Sequence, residues 1–495
     1  MLPLSQARAQ TAQPLTADAL FLEHQRYVNW SAGDGKVKYL RELGESVREG
    51  KRRSTFEHVQ LNDAFLNSAS VSDGFTTAIG FTGKLAWVSN QNGFTTPVTG
   101  ETAKALLTQQ ALFCEIASVF TPQLGREHVM VDDHETTELH LHSNVALPAD
   151  VYVDPATGAY RRIVIDPDGK YQRTFNGIDY TAVGDRRFLT TWHVGASTTV
   201  STYTKVEVNV GVTAAEVHPP PQLATWSFGD EPAKIEFANE PAQRIFVDAV
   251  VNGVKGRFLL DTGAGGTSML DSFARRAHAM PIGQTRAGGI GGSMTANTYE
   301  ADTVQLGGST LHHVHFYSGL SERWSSEGIV GLLGYDILAG TIADLNFDAS
   351  TLRLYDPATQ QADTSTGFVL HPDLSTAHIR IPMQIAGKYD VMATLDSGNP
   401  SEVLFSSYLV EHDGLPFRAS FTGRGYGISG VGEVHRCGKL PSLSLGPITY
   451  QQPKACSSAS FDRNEVLVGL EFMHAFNFVF DYPDDIVVMI PRRNY

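Results

Sequence analysis

Two stretches of this chain, residues 244–357 and 379–492, carry the same features in the same order, and that repetition restricts the fold more than any other property of the sequence. The first begins IFVDAVVNGVKGRFLLDTGAGGTSML and the second IRIPMQIAGKYDVMATLDSGNPSEVLF. Each is an apolar strand, a turn, and a second apolar strand that ends in Asp followed by a hydroxyl residue and Gly. Each then reaches a glycine-rich stretch, AGGIGGS at 287–293 and YGISGVGE at 426–433. Each closes on apolar residues with Gly and another strand pair: GIVGLLGYDIL with ADLNFDASTLRLY, and VLVGLEFMHAF with FVFDYPDDIVVMI. A repeated β-rich unit of this length predicts two lobes related by a pseudo-twofold axis.

The chemistry-bearing residues are those at the end of the second strand, Asp261-Thr262-Gly263 and Asp396-Ser397-Gly398. Such a tripeptide alone is an ordinary turn, in which Asp accepts backbone hydrogen bonds and Gly bends the chain. Here an apolar strand leads into each Asp and the rest of the repeat recurs in register. Two such loops meeting at the axis bring two carboxyls within hydrogen-bond reach. Like charges that close share a proton. One then serves as base to a water, while the other protonates a substrate carbonyl. Gly263 and Gly398 are required because a Cβ would hold the loops apart.

At these residues the sequence resembles the retropepsin-like aspartic peptidases, over roughly the C-terminal half of the chain. The stretch Leu259-Leu260-Asp261-Thr262-Gly263-Ala264 is similar to the retroviral active loop. Gly288, Gly289, Ile290, Gly291 and Gly292 resemble the flap tip of those enzymes, with Ile428 and Gly430 in the second copy. Gly331-Leu332-Leu333-Gly334 resembles the segment packed under the active loop. The resemblance implies a mainly β, bilobal aspartic-protease fold in one fused chain. It further implies an endopeptidase acting on polypeptide without cofactor or metal, in which Thr262 and Ser397 brace the two loops. Ala264 removes a hydroxyl that would stabilise an ionised Asp261, which predicts a less acidic optimum than that of pepsin-like enzymes. The second motif departs from the family at Asn399 and Pro400. The alternative reading is therefore a catalytically weak or inactive protein that binds peptide or lipoprotein and keeps the protease fold.

Upstream, the Pro-rich stretch HPPPQLATWSFGDEP at 218–232 divides unlike parts of the chain and reads as a linker. The division implied is a signal-peptide remnant at 1–18, an α+β domain at 19–216 and a linker at 217–243. Lobe 1 then spans 244–357, a second linker 358–378 and lobe 2 379–495. The α+β domain opens on two segments with helical patterning, ALFLEHQRYVNW and VKYLRELGESVREG. Strand-like pieces follow, including a hairpin at VYVDPATGAYRRIVIDPDG. GFTGKLAWVSNQNGF and the VYVDPATGAYRR hairpin resemble periplasmic lipoprotein-carrier domains. That resemblance implies a half-barrel around an apolar cavity, with a lipid or lipoprotein ligand.

A net charge of −15 argues against nucleic-acid and anionic-membrane surfaces, which need clustered Lys and Arg. No apolar run is long enough to span a bilayer. Ala7-Arg8-Ala9 has the small-x-small pattern of a signal-peptidase site, which points to a periplasmic or secreted protein. Three cysteines cannot make a disulfide framework, but Cys437 and Cys456 fall on strands that look adjacent and allow one bridge. Cys114, in the apolar run ALFCEIASVF, reads as a buried thiol. His134-Glu135-Thr136-Thr137-Glu138 lacks the second His of a zinc helix, and the pairs His140/His142 and His313/His315 read as solvated strand faces.

Overall fold

A computed structural model describes residues 15–492, apart from short gaps at 33, 73–74, 168, 170, 230–231, 238–243, 290–291, 428–429 and 462–464. The signal-like residues Ala7-Arg8-Ala9 lie outside the described part. The fold is mainly β, with several sheets and few helices. Among the described residues no helix is long and apolar enough to cross a membrane.

The chain divides into two compact units, one of 1–37 with 104–202 and one of 38–103 with 203–495. Residues 19–216 are thus shared between them. GFTGKLAWVSNQNGF falls in the second unit and the VYVDPATGAYRR hairpin in the first.

In the first unit the helix Ala17–Val28 starts where the Thr16 hydroxyl accepts from the Ala19 amide, and it stops at Asn29 in the left-handed region. Its buried Leu20 and Phe21 pack with Leu112 of a second helix onto an antiparallel meander through Leu139, Val151, Ile163 and Phe175. Ala149–Val153 and Tyr160–Ile165 form the hairpin read from the sequence. His134–His142 is a strand in this meander. Cys114 is buried, makes no disulfide, and accepts from the Gln110 side-chain amide at 3.0 Å.

The second unit begins with successive antiparallel strands from Tyr39–Arg48 to Thr95–Val98. Tyr39–Arg48 lies in the segment whose apolar spacing predicts a helix, and that expectation is wrong. Leu40, Glu42 and Gly44 alternate inward, and the strand pairs along its whole length with Lys51–Leu61. Ladder pairing overrides a weak helical periodicity. The Pro-rich stretch also departs from its reading as a linker. Between Pro221 and Pro232, Thr225–Ser227 pairs with Ser309–Tyr317, and beyond Pro232, Ala233–Glu236 pairs with Thr351–Tyr355. In the second expected linker, Phe368–Leu370 pairs with Ile486–Pro491.

Two larger sheets follow the same pairing scheme. In one, Val254–Leu260 lies antiparallel to Phe246–Val251 and parallel to Gly331–Leu333. In the other, Tyr389–Asp396 lies antiparallel to Arg380–Ile385 and parallel to Glu465–Gly469. Long hairpins rise from both: Met280–Gly289 with Gly292–Leu306, and Arg418–Tyr426 with Gly432–Lys439. A six-stranded sheet joins Ile342–Asn346 to Phe476–Asp481, so the closing strands of the two repeats share one ladder. A continuous core from Val247 and Phe258 to Leu395, Phe405 and Val466 underlies these sheets. A disulfide joins Cys437 and Cys456, which sit opposite one another on paired strands.

Candidate active site

Each central strand delivers its Asp to the point where the parallel partner strand ends. The Asp261 amide donates to the Leu333 carbonyl at 2.9 Å. Asp396 pairs with Gly469 in the corresponding ladder. Beyond the aspartates the two loops are locked together reciprocally. The Thr262 hydroxyl donates to the Leu395 carbonyl at 2.7 Å and accepts from the Ser397 amide at 3.0 Å. The Ser397 hydroxyl donates to the Leu260 carbonyl at 2.8 Å and accepts from the Thr262 amide at 3.0 Å. Both hydroxyl residues are buried, so four polar groups that would otherwise be orphaned are satisfied across the junction.

The glycines set how closely the loops approach. A Cβ on Gly263 would lie 2.3 Å from the Asp396 Cγ, and one on Gly398 would lie 2.4 Å from the Asp261 Cγ. Within each loop the carboxyl accepts from the backbone. The Gly263 amide donates to Asp261 Oδ1 at 3.1 Å, while Gly398 and Asn399 donate to Asp396 Oδ1 at 2.9 and 3.1 Å. Asn399 thus supplies its main chain to the acid, while its own Oδ1 accepts from the Ser401 amide and hydroxyl. Ala264 and Asn399 occupy matching places, since their carbonyls accept at 2.8 Å from Tyr335 and Leu470 respectively.

The two carboxyls are hydrogen-bonded to each other and titrate as a pair. Burial raises Asp261 above the usual carboxylate range, and its backbone donors and Asp396 restrain the rise. Burial, the charge of Asp261 and the hydrogen bond between them push Asp396 much higher. Both shifts favour the protonated form, so the environment favours a proton shared by the pair. Such a pair can activate a water and protonate an oxygen in the same site.

Gly288 and Gly289 close the strand Met280–Gly289, and Gly289 pairs with Gly292; Ile290 and Gly291 between them lie outside the described residues. Gly430 turns between the strands of the second hairpin with φ +73°, and Ile428 is likewise outside the described residues. A Cβ on Gly430 would lie 2.8 Å from the Ser321 hydroxyl, and Arg323 sits 4.3 Å over the Tyr426 ring.

Several residues around the site carried no signal in the sequence. Asp336, fully buried, accepts from the Thr267 amide and hydroxyl, both at 2.7 Å, and burial raises its carboxyl to about 6. Gln91 donates to its other oxygen, and the Asn90 side chain to its carbonyl. His315 corrects the solvated-face expectation: it is 4% exposed, stacked near Phe75, with its backbone held by Asn92. His313 does remain at the surface, with φ +56° interrupting the alternation.

Residues 247–337 match the family model described as aspartyl protease. No curated protein matches the chain. The matched segment holds Asp261, both strands of the first hairpin and the Gly331–Gly334 segment, and it ends before Asp396. This chain contains an aspartyl protease domain at residues 247–337.

Proposed function

We propose that the chain is a bilobal aspartic endopeptidase whose dyad is Asp261 and Asp396, formed between two fused, duplicated lobes. The observation that carries this reading is the reciprocal bracing of Thr262 and Ser397, which sets two carboxyls from separate sheets side by side. In the resting site Asp261 is ionised and Asp396 protonated. Asp261 takes a proton from a water placed between them as that water attacks the scissile carbonyl carbon. Asp396 gives its proton to the carbonyl oxygen, producing the uncharged hydrated carbonyl. As that intermediate collapses, Asp261 gives its proton to the departing nitrogen, Asp396 takes the proton of one hydroxyl as the carbonyl re-forms, and the C–N bond breaks to leave acid, amine and the starting proton distribution.

The glycine-rich hairpins are the segments that cover an extended substrate strand and add backbone hydrogen bonds to it. Export to an oxidising compartment, periplasmic or extracellular, fits the Cys437–Cys456 disulfide. The proposed lipid or lipoprotein ligand is assigned to the first unit, whose apolar core includes Phe21, Leu112 and Phe120.

The test is cleavage of unfolded polypeptide by the purified full chain. Challenge with a peptide carrying a secondary alcohol in place of the scissile carbonyl, a mimic of the hydrated intermediate, accompanies it. Cleavage blocked by that mimic and untouched by serine- or cysteine-directed reagents supports the reading. Absence of cleavage, with the mimic failing to bind, removes it and favours a non-catalytic binding protein.

A further inference from the structure

A short turn far upstream of the aspartyl protease domain is built into the support of its active loop. Asn90, Gln91, Asn92 and Phe94 are all buried, at 7%, 5%, 0% and 5% exposure, although they stand in a polar stretch of sequence. Their side chains are spent on the domain. Asn92 accepts from the His315 amide at 2.8 Å and donates to the His315 carbonyl at 3.3 Å, so one side chain imitates a neighbouring strand. Phe94 joins the core, and a Cβ on Gly340 would lie 2.2 Å from its ring. Thr96 hydrogen-bonds the Tyr335 hydroxyl at 3.1 Å.

Gln91 is the member with a path to the dyad. Its amide donates to Asp336 Oδ2, while Asp336 Oδ1 holds the amide and hydroxyl of Thr267. The Thr267 hydroxyl in turn accepts from the Gly334 amide at 3.1 Å. The next residue, Tyr335, donates to the Ala264 carbonyl at 2.8 Å. Gly334 itself lies so close beneath the loop that a Cβ would be 2.7 Å from the Ala264 oxygen. The second sheet is supported differently. There Glu471 follows the matching Gly469-Leu470, is partly exposed, and pairs with Lys454.

We propose that Gln91 is a positioning residue: through Asp336 and Thr267 it fixes the loop that carries Asp261, which makes the upstream turn an integral part of the peptidase site. This rests on the reading of Asp261 as catalytic, but the geometry it invokes does not. A buried carboxylate oxygen that loses its donor is free to re-form contacts elsewhere, and a loop displaced by even a fraction of an ångström loses its reactive alignment.

The test compares the full-length protein with Gln91→Leu, which keeps bulk and removes the donor, and Gln91→Glu, which donates to Asp336 only while protonated. Two readouts are taken: kcat and KM for a polypeptide substrate across pH, and amide hydrogen exchange. In Gln91→Leu, kcat is expected to fall ~10- to 100-fold with KM changing much less. Exchange should quicken at Gly334 and Tyr335 while the Tyr389–Asp396 ladder keeps its protection. Gln91→Glu should approach wild type at acidic pH and decline towards the Gln91→Leu level as the pH rises. Unchanged exchange at Gly334 and Tyr335 in Gln91→Leu overturns the proposal. So does a uniform loss of protection across the unit with no pH-dependent rescue in Gln91→Glu, which would mark a merely structural residue. If the wild type cleaves nothing yet exchange at Gly334 and Tyr335 still quickens selectively, the positioning stands and only the peptidase reading falls.

Discussion

Thr262 and Ser397 each place a hydroxyl under the other's loop, donating to a carbonyl there and accepting from the partner's amide. Replacing Thr262 by Val keeps the shape but leaves the Leu395 carbonyl and the Ser397 amide buried without partners. The expected loss is about 2–4 kcal/mol of unfolding free energy. Thr262→Ser, which retains the hydroxyl, should lose about 1 kcal/mol or less. Urea unfolding of the two variants checks this, and equal stabilities would contradict the bracing role.

Gly263 and Gly398 are needed for space and not for backbone freedom, since neither adopts the left-handed region. Gly263→Ala and Gly398→Ala should therefore fold, with their active loops forced apart. Cleavage is expected to drop by about 100-fold or more in each. Wild-type kcat/KM in either variant would show that the carboxyls do not need this approach.

The shared proton fixes the direction of the pH profile. On the proposed mechanism the pair must carry one proton, with one carboxyl ionised and the other protonated. Burial raises both carboxyls and the charge of Asp261 raises Asp396 further, so both limbs of the pair's profile lie above the usual carboxylate range. A bell-shaped kcat/KM in mildly acidic solution is expected, less acidic than a pepsin-like optimum. A maximum in strongly acidic solution would contradict the assignment.

Asp485 gives a prediction about stability. It is buried, has φ +57°, and accepts from the Thr99 hydroxyl at 2.5 Å, while its Oδ1 has no hydrogen-bond partner among the described residues. Burial raises its carboxyl to about 7, from about 3.9 in an unfolded chain. The folded state therefore binds the extra proton between these values, so stability is fully present below about 4 and is lost as pH rises through about 7. Asp485→Asn cannot ionise and tolerates the left-handed backbone. Its unfolding midpoint should exceed that of wild type at pH 8, with little difference at pH 4. The same difference at both pH values would contradict this.

What the sequence revealed was local in character. The strand leading into each Asp, the hydroxyl and Gly after it, and the glycine-rich turns are short patterns that occur twice, so each copy supports the other. The bond from Gln91 to Asp336 joins residues 245 apart, and no spacing rule announces it. The same holds for Asn92, whose side chain serves as a strand edge to His315. The strand at Tyr39–Arg48 was obscured by leucines at helical intervals, and only its ladder with Lys51–Leu61 decides its conformation. Pro-rich sequence from His218 to Pro232 hid the short strand Thr225–Ser227 within it and Ala233–Glu236 just after it, because the prolines flank the paired residues and do not interrupt them.

The central claim is that Asp261 and Asp396 act as one unit, and the most direct test replaces each singly by Asn. Asn matches the shape of Asp and removes the exchangeable carboxyl proton, so both variants should keep the wild-type fold by circular dichroism. Polypeptide cleavage by Asp261→Asn and by Asp396→Asn should each fall at least ~1,000-fold, and the double variant should be no worse than either alone, as for residues acting together. Retained cleavage in either single variant would contradict the account.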